Sequence, residues 1–182
     1  ERAGQLKRTH GGAILPSFAQ HEDSFAQRLE RAVEAKELLA EIAAAMLNPG
    51  EAIFLDSSTT AYYLARRIVN LGLAITIATN SLPIMELVAS SHVPHLELIG
   101  IGGALRKLTL SFVGQRTLAD IASLYADKTF FSVKGVTPNG NLTDPDAQEA
   151  DVKRAMIEQS REAILLVDGT KFQQYGLHII GQ

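Results

Sequence analysis

Five short apolar runs, each closed by a polar or glycine residue and all but the last followed by a stretch of helical spacing, leave few folds open to this chain. Ala52-Ile53-Phe54-Leu55 stops at Asp56, and Ala74-Ile75-Thr76-Ile77-Ala78 stops at Thr79-Asn80-Ser81. Leu96-Glu97-Leu98-Ile99 runs into Gly100-Ile101-Gly102-Gly103, residues 129–133 lead into a polar loop over 134–146, and residues 163–167 end at Asp168. The continuous run over residues 52–55 fits a strand buried on both faces, and the other runs also read as strands. Between them, Tyr63, Leu64 and Ile68, then Ile84, Leu87 and Val88, then residues 115–124 and 147–160 carry helical signatures. Strands separated by helices need crossover connections, so the fold class is α/β, a doubly wound and mostly parallel sheet with helices on both faces.

Ahead of the first run, Phe25, Leu29, Val33, Leu39, Ile42 and Met46 space out a helix over residues 24–46, ended by Asn48-Pro49-Gly50. At the other end, Leu177-His178-Ile179-Ile180 reads as a last strand. Residues 1–20 have no clear period and read as a linker, with Ala13-Ile14-Leu15 available as an edge strand, and residues 21–182 as one domain.

Composition narrows the function classes. A chain of 182 residues, 46% hydrophobic and 20% charged, can bury one sizeable core. No apolar run reaches the roughly 18 residues of a membrane span, and Glu1, Arg2, Lys7 and Arg8 do not begin a secretory signal, so a cytoplasmic location is expected. The absence of cysteine removes disulfides and thiolate metal sites. His10, His21, His92, His95 and His178 share no ligand spacing, so no metal and no cofactor is expected. A net charge of −3 argues against nucleic-acid binding by these residues themselves.

Parallel sheets gather their sites at the carboxyl ends of the strands. There, Asp56-Ser57-Ser58-Thr59-Thr60 offers hydroxyls and backbone N–H groups at a helix start, where the dipole favours an anion. Asn80 and Asp56 are placed to read the hydroxyls of a polyol, and Gly102-Gly103 allows close backbone approach. Lys171 or Arg106 would balance charge, with Asp168 on the same edge. Together these describe a pocket for a small phosphorylated polyol; the alternative is that each turn is only a helix cap.

The series Arg8-Thr9-His10-Gly11-Gly12-Ala13, Lys36 with Ile42-Ala43, residues 53–60, Thr79-Asn80-Ser81, Gly102-Gly103-Ala104-Leu105-Arg106, Val113-Gly114 and Asp168-Gly169-Thr170-Lys171-Phe172 resembles the DeoR family of bacterial transcription regulators. The match lies with the family's C-terminal effector-sensing domain, similar in fold to ribose-5-phosphate isomerase and the CoA transferases. It implies a sensor of sugar phosphates or related metabolites, in most cases part of a homo-oligomeric repressor that meets operator DNA through an upstream helix-turn-helix domain. It also implies phosphate-loop roles for Ser57, Ser58, Thr59 and Thr60, with Asp56, Asn80, Gly102, Gly103 and Lys171 in the matching loops. Lys134 departs from the family's usual small residue, and either adds a charge to the pocket or points to solvent.

A sugar-phosphate isomerase on the same fold is the rival reading. It needs a carboxylate to move a proton between carbons. The loop after residues 129–133 opens with Lys134-Gly135-Val136-Thr137 and has no acid before Asp144, so that reading lacks a base.

Overall fold

Ile53, Phe54 and Leu55 are each 0% exposed, so the strand they form has no solvent face. In the computed structural model, residues 7–9, 12–14 and 22–182 are described. The hairpin strands β1 (Lys7–Thr9) and β2 (Gly12–Ile14) precede helices α1 (Phe25–Leu29) and α2 (Val33–Ala44). Then follow β3 (Ala52–Leu55), α3 (Thr59–Leu71), β4 (Thr76–Thr79), α4 (Leu82–Ala89) and β5 (Glu97–Gly100). The second half comprises β6 (Ala104–Arg106), β7 (Ser111–Val113), α5 (Gln115–Ala122), β8 (Ala126–Phe131), β9 (Gly135–Val136) and β10 (Leu142–Asp144). After these come α6 (Ala147–Glu158), β11 (Ser160–Leu165), a single 3-10 turn (Gly169–Phe172) and β12 (His178–Gly181).

The main sheet has five parallel strands in the order β11-β8-β3-β4-β5. From β3 the chain winds outward through β4 to β5, then returns to the other side of β3 to form β8 and β11. The reversal between β3 and β8 is a topological switch point, the place where such sheets open a crevice. Side-chain alternation divides the core. Ile53 and Leu55 pack with Ala40, Leu64, Ile68 and Ile84 from α2, α3 and α4 on one face. Phe54 and Ala78 pack with Ile121, Val152 and Met156 from α5 and α6 on the other. The doubly wound arrangement read from the sequence is therefore present.

Several elements differ from the sequence expectation. The helix over 24–46 is two helices, because Ala32 adopts a left-handed conformation at φ 48° and breaks the ladder. The Gly100–Gly103 turn does not lead straight into a helix: β6 and β7 first form an antiparallel hairpin. The 134–146 loop contains β9 and β10, which pair with β12 in a three-stranded sheet packed on α6 through Val136, Ala150 and Ile180. The strand ends also shift, with β8 starting at Ala126 and β11 at Ser160, since Asp127-Lys128 and Arg161-Glu162 near their starts hide the pattern. Among residues 1–20, only the two hairpin strands are described. The Ala13-Ile14-Leu15 edge strand is found in part, as Gly12–Ile14 paired with Lys7–Thr9 and not with the main sheet; Leu15 lies outside the described residues.

Candidate effector-binding cleft

The loops after β3, β8 and β11 converge at the carboxyl edge of the sheet around a cleft of about 120 Å³. Its floor is the start of α3. Ser58 caps that helix, its Oγ accepting from the Ala61 amide at 3.1 Å, and Ser58, Thr59 and Thr60 all line the cleft while being largely buried. Small hydroxyl residues suit this turn because bulk would close the opening at which the helix presents its unpaired amides.

Asp56 lies beneath this floor, fully buried. One carboxylate oxygen accepts from Ser58 N at 3.0 Å and the other from Ser132 N at 3.1 Å, so Asp56 ties the β3 loop to the β8 loop across the switch point. Lys153 sits 3.5 Å from Asp56, forms an ion pair with Asp144, and donates to the Ser132 carbonyl at 2.8 Å. Burial raises the Asp144 pKa and Lys153 opposes that shift. Asp144 itself lines the cleft, as do Ser132, Lys134 and Lys153. Asp144, the first acid after residues 129–133, is thus brought to the cleft by β10 and held by a lysine.

Positive charge collects around the rim. Arg28, Lys36, Lys134 and Lys171 all line the cleft. Burial, then the neighbouring Lys171 and Arg28, with Arg31 a smaller contributor, lower the Lys36 pKa to about 8, with Asp168 opposing. The pKa of Lys171 is also lowered, first by burial; Asp168 resists the shift, while Lys134, Lys153 and Arg28 add to it. Asp168 lines the cleft and caps the 3-10 turn, its Oδ1 accepting from Thr170 N at 2.8 Å.

The sequence-derived set is therefore split. Ser58, Thr59, Thr60, Lys134, Asp168 and Lys171 meet in one cleft. Asp56 and Ser57 stand behind it, Ser57 Oγ donating to Glu149 Oε2 at 2.9 Å. Asn80, Gly102, Gly103 and Arg106 do not line it. Asn80 instead fastens the end of β4 to β7, its Nδ2 donating to the Phe112 carbonyl at 2.8 Å. Gly103, at φ 147°, lies where a Cβ would come within 2.1 Å of Thr117 Oγ1, while Gly102 O accepts from that hydroxyl at 2.8 Å. Arg106 is held by Glu22 at 2.5 Å and Asp146 at 3.3 Å. Lys36 entered the sequence reading only as part of the family resemblance, and Arg28, Ser132, Asp144 and Lys153 were not singled out as site residues, because α1, the β8 loop, β10 and α6 bring them together from distant parts of the chain.

An α/β domain with a cationic cleft at its switch point is a small-molecule binding domain. The chain belongs to the DeoR C terminal sensor domain family, which matches residues 31–182. It is 33% identical over 172 residues to the HTH-type transcriptional regulator YulB of Bacillus subtilis, covering 94% of this chain and 65% of that protein. It is 33% identical to the lactose phosphotransferase system repressor of Staphylococcus epidermidis (94% of this chain, 67% of that one). With the L-fucose operon activator of Escherichia coli the identity is 32% (98% and 72%). The chain thus spans about two thirds of the length of these relatives, which are transcription regulators and not enzymes.

Among solved structures, eIF2B delta from Chaetomium thermophilum superposes with a TM-score of 0.57 at 18% identity, over 79% of this chain and 50% of that one. Ribose 5-phosphate isomerase A from Neisseria gonorrhoeae gives 0.55 at 14%, over 76% and 53%. At such identities the likeness is one of fold. No helix among the described residues is long and apolar enough to cross a membrane, and no metal-ligand cluster occurs among them.

Proposed function

We propose that this chain is the effector-sensing part of a bacterial transcription regulator of carbohydrate genes, and that its cleft takes a phosphorylated sugar or a related polyol phosphate. The observation that carries the ligand class is the crowding of Arg28, Lys36, Lys134 and Lys171 over the hydroxyl-lined start of α3, with Lys36 left partly deprotonated near pH 8. Mutual repulsion of this kind is relieved by an anion, and the helix dipole adds to the attraction. Asp144 and Asp168 stand on the same walls, where the lone pairs that Lys153 and Thr170 do not use can accept from sugar hydroxyls.

In this reading the regulator is a repressor. It meets operator DNA through a helix-turn-helix domain outside this chain, joined through residues 1–20, and the effector weakens that contact. The related proteins include both repressors and an activator, so the direction of control is a proposal on its own. A homo-oligomer in the cytoplasm is likewise proposed; Leu38, Ile42 and Met46 form an exposed apolar stripe on and just beyond α2 that suits self-association.

Thermal unfolding of the protein with sugar phosphates, polyol phosphates and their unphosphorylated parents tests the ligand class. A phosphorylated compound well above its Kd should raise apparent stability by about 3 kcal/mol while its parent does not. Replacing Thr59 and Thr60 with Ala should remove more than about 1 kcal/mol of that affinity. Stabilisation by parent sugars alone, or equal binding by the double variant, refutes the phosphate site.

A further inference from the structure

We infer that Arg28 is the clamp for the bound phosphate group, so that the effector fastens α1 to the start of α3. The inference rests on the cleft being the anion site, and deepens that reading by naming the residue that closes it and the element it moves.

Arg28 lines the cleft, and its Nε and Nη2 atoms are buried with no hydrogen-bond partner among the described residues. A guanidinium stays charged at any physiological pH, so two unpaired buried N–H donors are costly and not removed by proton loss. The Nε and Nη2 atoms form one edge of the planar fork, the edge that grips two oxygens of a phosphate or carboxylate side-on. Each acid lining the same cleft is already engaged elsewhere. Glu22 holds Arg106, Asp23 holds Arg31, Asp144 holds Lys153, and Asp168 caps Thr170. The missing counter-ion is therefore one that the described residues do not supply.

The position of Arg28 gives the clamp a consequence. It lies on α1, ahead of the family-matched residues 31–182. Ala32 separates α1 from α2 and lines the cleft at the break. Lys36 donates to the carbonyls of both Arg28 and Arg31, so the second cleft cation holds the end of α1 as well. An oxyanion shared by Arg28 and the Thr59–Thr60 turn would draw α1 against α3, and α1 is the first described helix after the hairpin of β1 and β2 in the chain.

Titration with inorganic phosphate, followed by NMR of the Arg28 Nε–H and by amide exchange of α1, tests this on the intact chain at constant ionic strength. The Nε signal is assigned by its loss in Arg28→Lys. Phosphate should shift it and slow exchange across residues 25–29, whereas Arg28→Lys and Arg28→Ala should each bind phosphate at least tenfold more weakly and show no slowing in α1. Circular dichroism of both variants confirms their fold, and the wild-type Nε shift stands independently of them. If phosphate binds the wild type but leaves the Nε signal and α1 exchange unchanged, the clamp is wrong and the cleft reading survives. If the wild type binds no phosphate, both are overturned.

Discussion

Glu149, on the first turn of α6, accepts the Ser57 hydroxyl at 2.9 Å across 92 residues of sequence. Its other oxygen accepts from Ser111, which also meets Thr109 at 2.7 Å, and lies 3.9 Å from Arg106. One buried carboxylate therefore joins the loop after β3, the β6–β7 hairpin and α6. Glu149→Ala would leave the buried Ser57 hydroxyl without an acceptor and Ser111 with Thr109 alone, and should cost about 2–4 kcal/mol in denaturant unfolding. Glu149→Gln should recover part of that loss.

Lys153 is the counter-ion to both Asp56 and Asp144. Lys153→Met removes it and leaves two buried carboxylates, an expected loss of about 3–5 kcal/mol at pH 7. Burial already raises the Asp144 pKa, so the folded form takes up a proton more readily than the unfolded one. Without the lysine this preference should grow, and the deficit should shrink as pH falls toward about 4. Urea unfolding of both proteins from pH 8 to pH 4 checks the sign; a deficit constant with pH would refute it.

The lowered pKa of Lys36, about 8, predicts that affinity for an anion declines above that pH. A phosphate monoester has its second pKa near 6, so its own charge is constant there. A fall of about three- to tenfold between pH 7 and pH 9.5 is expected by calorimetry, with proton uptake on binding near pH 8. The ligand-free protein should behave oppositely. Its unfolded state holds the Lys36 proton more tightly, so this residue adds stability as pH rises from about 8 toward 10.5. Lys36→Met should abolish the pH-linked component of both.

Gly135 carries a packing demand. A Cβ there would lie 1.4 Å from the Gln174 carbonyl oxygen and 3.1 Å from that of Lys171. Gly135→Ala must push away the segment that carries Lys171, at about 1–3 kcal/mol in stability. Anion affinity should drop more than the melting temperature does, which titration alongside calorimetry would resolve. Unchanged affinity would remove Lys171 from the site.

The central strands β3, β4 and β8 are buried and were legible from their apolar runs, whereas the edge strands β5 and β11, read from similar runs, are largely exposed. Short elements were not legible. Each strand of the β6–β7 hairpin has only three residues, too few to display a period of two. The break at Ala32 has no Gly or Pro to announce it, so α1 merged with α2 and Arg28 was not singled out. Arg106 and Asn80 were expected in the pocket, yet long-range partners such as Glu22 and Phe112 hold them outside the cleft. Partnerships of that kind leave no trace in local spacing.

The crevice between β3 and β8 arises from the direction of winding, before any side chain is chosen to fill it. Its existence draws on no residue in the packed faces, which makes recognition and stability separable inheritances in this domain. Under the proposed function, substitutions at Lys36, Lys134 or Lys171 would retune what enters while Ile53, Phe54 and Leu55 go on holding the sheet. A lineage built on such a frame can change what it answers to without refolding.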